Sequence, residues 1–358
     1  MNSAKLAPQT TSSLPRISET SPRLLVPYAL RRVPSDQLYG LGPLPGSFRS
    51  GSVAIARIDK IGKNTKLELV TGRTAALHEG DHLAVVFGNR YATEQFEGYA
   101  GSEGDHCDLL SMGGLCGLVS SRHAYVPEPS KLTLLGSVLD PTGQPLNLRS
   151  FKLPSTKYSA KPRVTVVCGS SMDAGKTHTA TSLIVGYARR KIHAAGIKLT
   201  GTATGRDTWS FHDAGASPAL DFIDGGWQST YLCDLDQLLD LHNLLLAHAA
   251  SEGTRQVVIE IADGLLQRET AMLLQSSEFM QTVDQVVFAT SDPIAAAGGV
   301  TLLRQWCIEP VAISGLISLS PLAAREASSR TGVRCVSSLD LQAGTLIDAD
   351  LFLKATGS

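Results

Sequence analysis

The sequence lacks the features that mark several large classes of protein. No window holds roughly eighteen uninterrupted apolar residues, the length that a membrane-spanning helix needs. The first residues contain no apolar segment of a secretory signal, and no internal repeat is visible. The formal net charge of -1 argues against broad electrostatic binding to nucleic acid or anionic membranes. We therefore expect a cytoplasmic protein that binds neither a membrane nor nucleic acid.

The six cysteines also lack a spacing that points to a disulfide framework or a zinc site. None belongs to a C-x-x-C pair, and several lie inside apolar runs. We interpret them as reduced and mostly buried thiols. With 358 residues, of which 43% are hydrophobic, the chain can bury a sizeable core and suits two domains better than one.

One stretch, residues 164–190, carries a specific signal. Residues 164–167 predict a buried strand, residues 169–175 form a glycine-bearing loop, and Lys176-Thr177 opens a segment with apolar residues at helical spacing. Strand, loop, Lys-Thr and helix together predict the phosphate-binding loop of a P-loop NTPase. A chance Gly-Lys-Thr in a strand-to-helix turn is the alternative.

The chemistry of such a loop assigns roles to its residues. Backbone N–H groups and the helix dipole attract phosphate, Lys176 reaches the β- and γ-phosphates, and the Thr177 hydroxyl is placed to bind Mg²⁺. The strict G-x-x-x-x-G-K-[ST] pattern fails, because Ser170 stands where the first glycine is expected and Gly169 precedes it. We expect these residues to contact the nucleotide: Gly169, Ser170, Ser171, Met172, Asp173, Ala174, Gly175, Lys176, Thr177 and His178.

Shifts in composition divide the chain into five segments. Residues 1–23, rich in Ser, Thr and Pro, predict a disordered tail, with a transit peptide as the alternative. Short β-rich runs between turns over residues 24–153 are typical of a small barrel-like or sandwich domain. A polar, proline-flanked linker over 154–162 precedes the P-loop domain at 163–346, and 347–358 form a C-terminal tail.

The P-loop domain alternates apolar strands with helical segments, which is typical of an α/β fold with a parallel sheet and flanking helices. We predict strands at 164–167, 196–199, 256–261, 285–289, 310–314 and 333–336. We predict helices at 177–195, 235–252, 270–277, 295–306 and 321–331.

Charged residues follow two of these strands. Ligands bind at the carboxyl edge of parallel sheets, so Lys198 and Glu260 should point into the site. A carboxylate in the loop after Lys198 would hold Mg²⁺. We favour a metal-binding role for Asp213 over a capping role, and we leave the role of Asp207 open. The choice between Glu260 and Asp263 as the carboxylate nearest the metal also stays open.

The loop resembles that of dethiobiotin synthetase, which reads G-T-D-T-D-V-G-K-T. Gly169, Asp173, Gly175, Lys176 and Thr177 match it position by position, which explains the displaced glycine. That family belongs with the cobyrinate diamide synthetases and the P-loop proteins of DUF1611. The resemblance covers about residues 163–318, under half of the chain.

Outside the loop the resemblance is looser. IKLTG is similar to the family's strand that ends in K-P-x-x-x-G, with Lys198 at the lysine, although no proline follows. Asp213 is similar to its metal-binding aspartate. IEIADGLL resembles E-G-A-G-G-L, with Glu260 at the glutamate, although Asp263 breaks the pattern. The β-rich N-terminal segment has no counterpart in dethiobiotin synthetase.

Two N-terminal stretches look unlike plain strands and turns. Residues 88–99 concentrate an arginine, two tyrosines, a phenylalanine and two glutamates, and residues 111–120 form a glycine-rich loop. They either hold a small ligand or meet the nucleotide across a cleft, or they are ordinary loops with packed aromatic residues.

These observations predict an ATP- and Mg²⁺-dependent enzyme of the ligase or kinase kind. It would activate a small-molecule carboxylate, carbamate or hydroxyl by phosphoryl transfer, with Lys176 and Lys198 as catalytic residues and Thr177, Asp213 and Glu260 around Mg²⁺. A missing N/T-K-x-D segment favours ATP over GTP. The resemblance also allows a homodimer. The alternatives are a nucleotide-switched regulatory or scaffold NTPase whose β domain binds a protein partner, and nucleotide binding without turnover.

Overall fold

The computed structural model describes residues 16–21, 23–158 and 160–347. Most of the predicted tails, residues 1–15, 22 and 348–358, lie outside the described residues. Part of the predicted disordered tail is folded, because Ile17 is buried in the core and Ser21 Oγ shares a 2.7 Å hydrogen bond with Nδ1 of His82. None of the helices in the described part combines the length and apolarity that crossing a membrane requires.

The N-terminal part, residues 16–158, is built mainly from short strands, with one α-helical turn and three short 3-10 helices among its described residues. In chain order its elements are α1 (Ile17–Thr20), β1 (Gly40–Gly42), β2 (Val53–Lys60), β3 (Lys66–Glu68), β4 (Thr74–Ala76), β5 (His82–Phe87), β6 (Phe96–Tyr99), β7 (His106–Leu109), β8 (Leu115–Arg122) and β9 (Ser130–Leu139). We call this the β-rich part. Its strands β3 and β4 form a separate hairpin-like pair.

The main sheet of the β-rich part closes on itself. Strand β2 pairs with β5 and β9, β5 with β8, β8 with β7, and β7 with β9, so five strands form a barrel-like ring. Alternate residues of β2 point to opposite faces. Ala54, Ala56 and Ile58 fill the inside of the ring, while Val53 and Ile55 face the core shared with the rest of the chain.

The C-terminal part, residues 160–347, alternates strands and helices as the sequence predicts. Its elements are β10 (Arg163–Gly169), α2 (Lys176–Arg189), β11 (Ala194–Lys198), α3 (Arg206–Asp213), β12 (Ala219–Asp221), α4 (Leu235–Ser251), β13 (Gln256–Glu260), α5 (Arg268–Gln275), α6 (Ser277–Met280), β14 (Gln285–Ala289), α7 (Pro293–Gln305), β15 (Ala312–Ser314), α8 (Pro321–Thr331) and α9 (Ser338–Ala343). All six strands are parallel, in the order β12-β11-β13-β10-β14-β15. We call this the P-loop part.

The predicted α/β fold class is confirmed, with three local corrections. The helix predicted over 177–195 ends at Arg189, because Lys191 takes a positive φ of 57°, and the next strand already begins at Ala194. Residues 333–336 form only an isolated bridge, between Ile313 and Cys335. The sequence pattern does not predict the short elements α3, β12, α6 and α9.

A buried ionic cluster joins the two parts. Arg31 of the β-rich part contacts Asp221 at 2.9 Å and Asp224 at 2.5 Å, and the Tyr28 hydroxyl donates to Asp221 at 2.9 Å. Burial raises the pKa of Asp224 to about 6, and the Arg31 charge opposes this rise. Apolar residues of both parts belong to one continuous core around this cluster. The β-rich part is therefore fixed against the sheet edge at β12.

We expect Arg31→Met to destabilise the protein by about 3 kcal/mol at pH 8, because it removes the shared cation of two buried carboxylates and leaves Asp224 only the longer 3.9 Å contact with Arg32. The loss should be smaller at pH 5, since protonating Asp224 then relieves the uncompensated charge. Urea unfolding at both pH values measures it. The matched control is Arg57→Met, which breaks an exposed ion pair with Asp59 and should change the free energy of unfolding by less than about 1 kcal/mol. Equal effects of the two variants would contradict this account.

Candidate functional site

The phosphate loop lies between β10 and α2, at the carboxyl edge of the parallel sheet. Asp173 and Gly175 both have positive φ angles, 53° and 93°, which turn the chain into the helix. A Cβ at Gly175 would lie 2.8 Å from Cα of Gly315. A Cβ at Gly169 would lie 2.8 Å from Cγ of Lys176. The glycine one place ahead of the usual pattern is therefore required by the path of the lysine side chain.

Lys176 extends back into the loop. Its side chain is buried, and Nζ donates to the Ser171 carbonyl oxygen at 2.5 Å. Burial, reinforced by the nearby charge of Lys198, lowers the pKa of Lys176. The ammonium group thus lies inside the concavity of the loop, where backbone N–H groups and the start of α2 favour phosphate oxygens.

Four side chains meet next to the start of α2. The Thr177 hydroxyl lies 2.9 Å from Glu260 Oε1 and 3.1 Å from Asp207 Oδ1. Lys198 Nζ lies 2.6 Å from Glu260 Oε1 and 2.8 Å from Asp207 Oδ2. Although burial opposes its charge, Asp207 and Glu260 raise the pKa of Lys198, so this lysine stays protonated. Strands β11 and β13 supply two of the four, and α3 supplies Asp207.

Asp213, which the sequence predicts to bind the metal, lies away from Thr177 and Glu260 in the structure. It is the last residue of α3, it is exposed, and it does not line the cavity that contains Thr177 and Glu260. Asp207, in the first turn of the same helix, takes the place that the sequence reasoning gave to Asp213. The two aspartates lie at opposite ends of a helix that the sequence pattern does not predict, so only one of them reaches Thr177.

The residues around Thr177 suit a hard divalent cation. A hydroxyl and two carboxylates converge, and oxygen ligands of this kind are what Mg²⁺ binds. Glu260 Oε2 is buried and has no hydrogen-bond partner among the described residues, so it has unused acceptor capacity. Asp263, the alternative to Glu260, follows β13 with a positive φ of 61° and lines the same cavity. The hydrogen bonds of the Thr177 hydroxyl described here go to Glu260 and Asp207, not to Asp263.

The site opens into a cavity of about 840 Å³ that both parts of the chain line. Both unusual N-terminal stretches reach it, the first through Arg90, Tyr91 and Gln95 and the second through Ser111 and Met112. The predicted nucleotide-contact residues that line it are Met172, Asp173, Gly175, Lys176, Thr177 and His178. Gly169 and Ala174 are buried, and Ser170 and Ser171 complete the loop.

The parallel sheet, the loop between β10 and α2, and the acidic residue at the end of the neighbouring β13 give this part a P-loop NTPase fold. No family model matches the chain, and no curated protein matches it.

Several solved structures are partly similar to the chain. A DUF1611 family protein from Anabaena variabilis is 16% identical with a TM-score of 0.38, over 59% of this chain and 65% of that one. The signal recognition particle 54 kDa protein from Aeropyrum pernix K1, in complex with GDP, is 17% identical with a TM-score of 0.36, over 58% and 53%. Chloroplast FtsY from Physcomitrella patens is 11% identical with a TM-score of 0.35, over 52% and 62%. The chain thus spans less than two thirds of each structure, and at these values the likenesses assign neither a family nor an activity.

We expect Asp207→Asn to weaken Mg²⁺-dependent ADP binding by about tenfold or more, because it removes one of the two carboxylates beside Thr177. Asp213→Asn makes the same chemical change at the other end of α3 and should alter the affinity by less than about twofold. Calorimetric titration with ADP, with and without Mg²⁺, measures both. Equal losses in the two variants would show that the carboxylates act only through the overall charge.

Proposed function

We propose that the protein is an ATP- and Mg²⁺-dependent enzyme that transfers a phosphoryl group to a carboxylate, carbamate or hydroxyl of a small molecule. One observation carries the proposal. The phosphate loop, the Thr177 cluster and the N-terminal loop around Arg90 all line one cavity. A site of about 840 Å³ has room for nucleotide phosphates and a second small molecule.

The position and charge of each residue in the site determine its proposed role. Lys176 and the loop N–H groups bind the phosphates, and Thr177, Asp207 and Glu260 hold the metal. Magnesium, when bound, supplies the positive charge that neutralises the β- and γ-phosphates. Lys198 is held protonated between Asp207 and Glu260, so it acts as a cation that stabilises negative charge and not as a base.

The proposed step needs little covalent help from the protein. An oxygen of the acceptor forms a bond to the γ-phosphorus, and the bond from this phosphorus to the β,γ-bridging oxygen breaks. ADP leaves with that electron pair. A carboxylate or carbamate acceptor loses no proton, whereas a hydroxyl acceptor would in addition release its proton to solvent. Positioning and charge stabilisation are therefore the main contributions of the protein.

The resemblance to dethiobiotin synthetase supports this reaction class on the nucleotide side only. The residues that match that family are in the P-loop part, whereas the opposite wall of the cavity comes from the β-rich part. We infer that the nucleotide chemistry is shared with that family, and that the β-rich part determines which acceptor binds.

The test is ATP hydrolysis with Mg²⁺, with and without a panel of small amino and carboxylic acids. We expect at least one compound to stimulate ADP release, and Lys176→Ala to abolish nearly all of it because the loop loses its phosphate-binding charge. Lys161→Ala is the control, since Lys161 is exposed and contacts only the Gln281 carbonyl oxygen among the described groups.

Full turnover by the Lys176→Ala protein would refute the assignment. Tight nucleotide binding with no response to any small molecule, but stimulation by a protein fraction, would instead favour the nucleotide-switched NTPase.

A further inference from the structure

Arg90 is a buried cation that leaves most of its hydrogen-bond donors unused. Arg90 is only 7% exposed to solvent. Nη2 donates to Gln95 Oε1 at 2.8 Å, but Nε and Nη1 are buried without a partner among the described residues. Buried polar groups are normally hydrogen-bonded, and an unsatisfied buried donor destabilises a fold. Such an exception points to a ligand.

The position of Arg90 is fixed by the backbone of the β-rich part. Its N–H donates to the Gly98 carbonyl oxygen at 2.8 Å, and the Gly98 N–H donates back to the Arg90 carbonyl oxygen at 3.1 Å. The Phe96 ring lies under the guanidinium, 5.9 Å from its central carbon to the ring centroid. The side chain is therefore prepositioned and does not need to be ordered by whatever binds it.

No carboxylate in the described part of the chain lies at ion-pair distance from Arg90. Burial lowers the pKa of Arg90 to about 10, and the charge of Asp263 across the cavity opposes this effect. The guanidinium is thus still charged at neutral pH. Arg31, the half-buried arginine discussed above, contacts two carboxylates instead. A buried charge without a counterion is expensive, so a bound anion would supply what the fold does not.

The cavity determines which anion this is. The phosphate loop and Lys176 already provide the donors for nucleotide phosphates, and Arg90 lines the same cavity from the opposite part of the chain. One cation with Gln95 beside it matches a monoanion. Asp263 in the same cavity disfavours a doubly charged phosphate at this point.

We propose that Arg90 binds a carboxylate group of the acceptor, so that the second substrate is a small carboxylic acid held between the β-rich part and the phosphate loop. The inference rests on the proposed function and narrows its substrate class. The carboxylate accepts hydrogen bonds from the guanidinium, and charge-assisted bonds of this kind are among the strong ones. Arg90 is a specificity residue that selects anions over neutral analogues.

The binding test uses the full chain loaded with Mg²⁺ and a non-hydrolysable ATP analogue. Acetate, succinate, glutarate and glutamate are titrated by calorimetry, each beside its neutral amide. We expect at least one carboxylate to bind more tightly than its amide, and Arg90→Gln to weaken that binding by about tenfold or more. Arg206→Gln removes an exposed cation from the rim of the same cavity, and its effect should stay below about threefold.

Three results of these titrations would overturn the proposal. In the first, no carboxylate binds more tightly than its amide. In the second, Arg90→Gln and Arg206→Gln lose equal affinity for the carboxylate. In the third, Arg90→Gln weakens binding of the ATP analogue and not of the carboxylate. The last result would assign Arg90 to the nucleotide. Nucleotide binding by the Lys176→Ala protein is judged separately. If this variant kept its nucleotide binding, the proposed function would be refuted, but Arg90-dependent carboxylate binding would still stand.

The melting temperature of the unliganded protein gives a second readout. Arg90→Met gives up one hydrogen bond to Gln95, but it also removes an unpaired buried charge and two donor nitrogens that no described residue satisfies, so we expect its melting temperature to equal or exceed that of the wild type. Arg31→Met should lower it. A similar drop in both variants would show that Arg90 is a structural residue and would overturn the proposal.

Discussion

Lys198 between Asp207 and Glu260 is the interaction on which the site depends. One ammonium group contacts two carboxylates, and the same carboxylates accept a hydrogen bond from Thr177 at the start of α2. Burial raises the pKa of Glu260, and Lys198 opposes that rise. Without this cation the buried carboxylate of Glu260 and the half-buried carboxylate of Asp207 would face each other next to the phosphate loop, which electrostatic repulsion disfavours. Lys198 therefore keeps the acidic corner beside Thr177, which we propose as the metal site, intact.

The β-rich part positions that corner as well as closing the cavity. Glu68 is buried and accepts hydrogen bonds from the Gly205 N–H at 2.9 Å and the Thr204 hydroxyl at 3.0 Å. These groups precede α3, and a carboxylate at a helix N-terminus is stabilised by the helix dipole. Because Asp207 lies in the first turn of α3, its place beside Thr177 depends on a contact from the other part of the chain. The two parts thus build one site together.

The sequence predicts the local structure of the phosphate loop well, because the pattern that forms it is local. A strand, a glycine loop, Lys176 and Thr177 are consecutive, and the loop forms where that pattern places it. Lys198 and Glu260 also follow from the rule that strand ends share one edge of a parallel sheet.

The remaining features depend on contacts between distant segments. Helix α3 has no side-chain cap of its own, and the N–H group just before it donates to Glu68, which is distant in sequence. The local pattern therefore predicts a loop here and favours Asp213 over Asp207. Residues 88–99 were recognised as unusual, but the choice between a ligand site and ordinary packing needed the burial and the missing partners of Arg90. Neither fact is encoded within a few residues of the site.

The most direct measurement of the central claim is a crystal structure with Mg²⁺, ADP and aluminium fluoride, which mimics the transferring phosphoryl group. We expect the β-phosphate inside the loop from Ser170 to Thr177, the metal bound by Thr177 with Asp207 or Glu260 next to it, and the guanidinium of Arg90 free of the nucleotide. Nucleotide bound outside this loop, or a metal held by residues away from Thr177, would contradict the account.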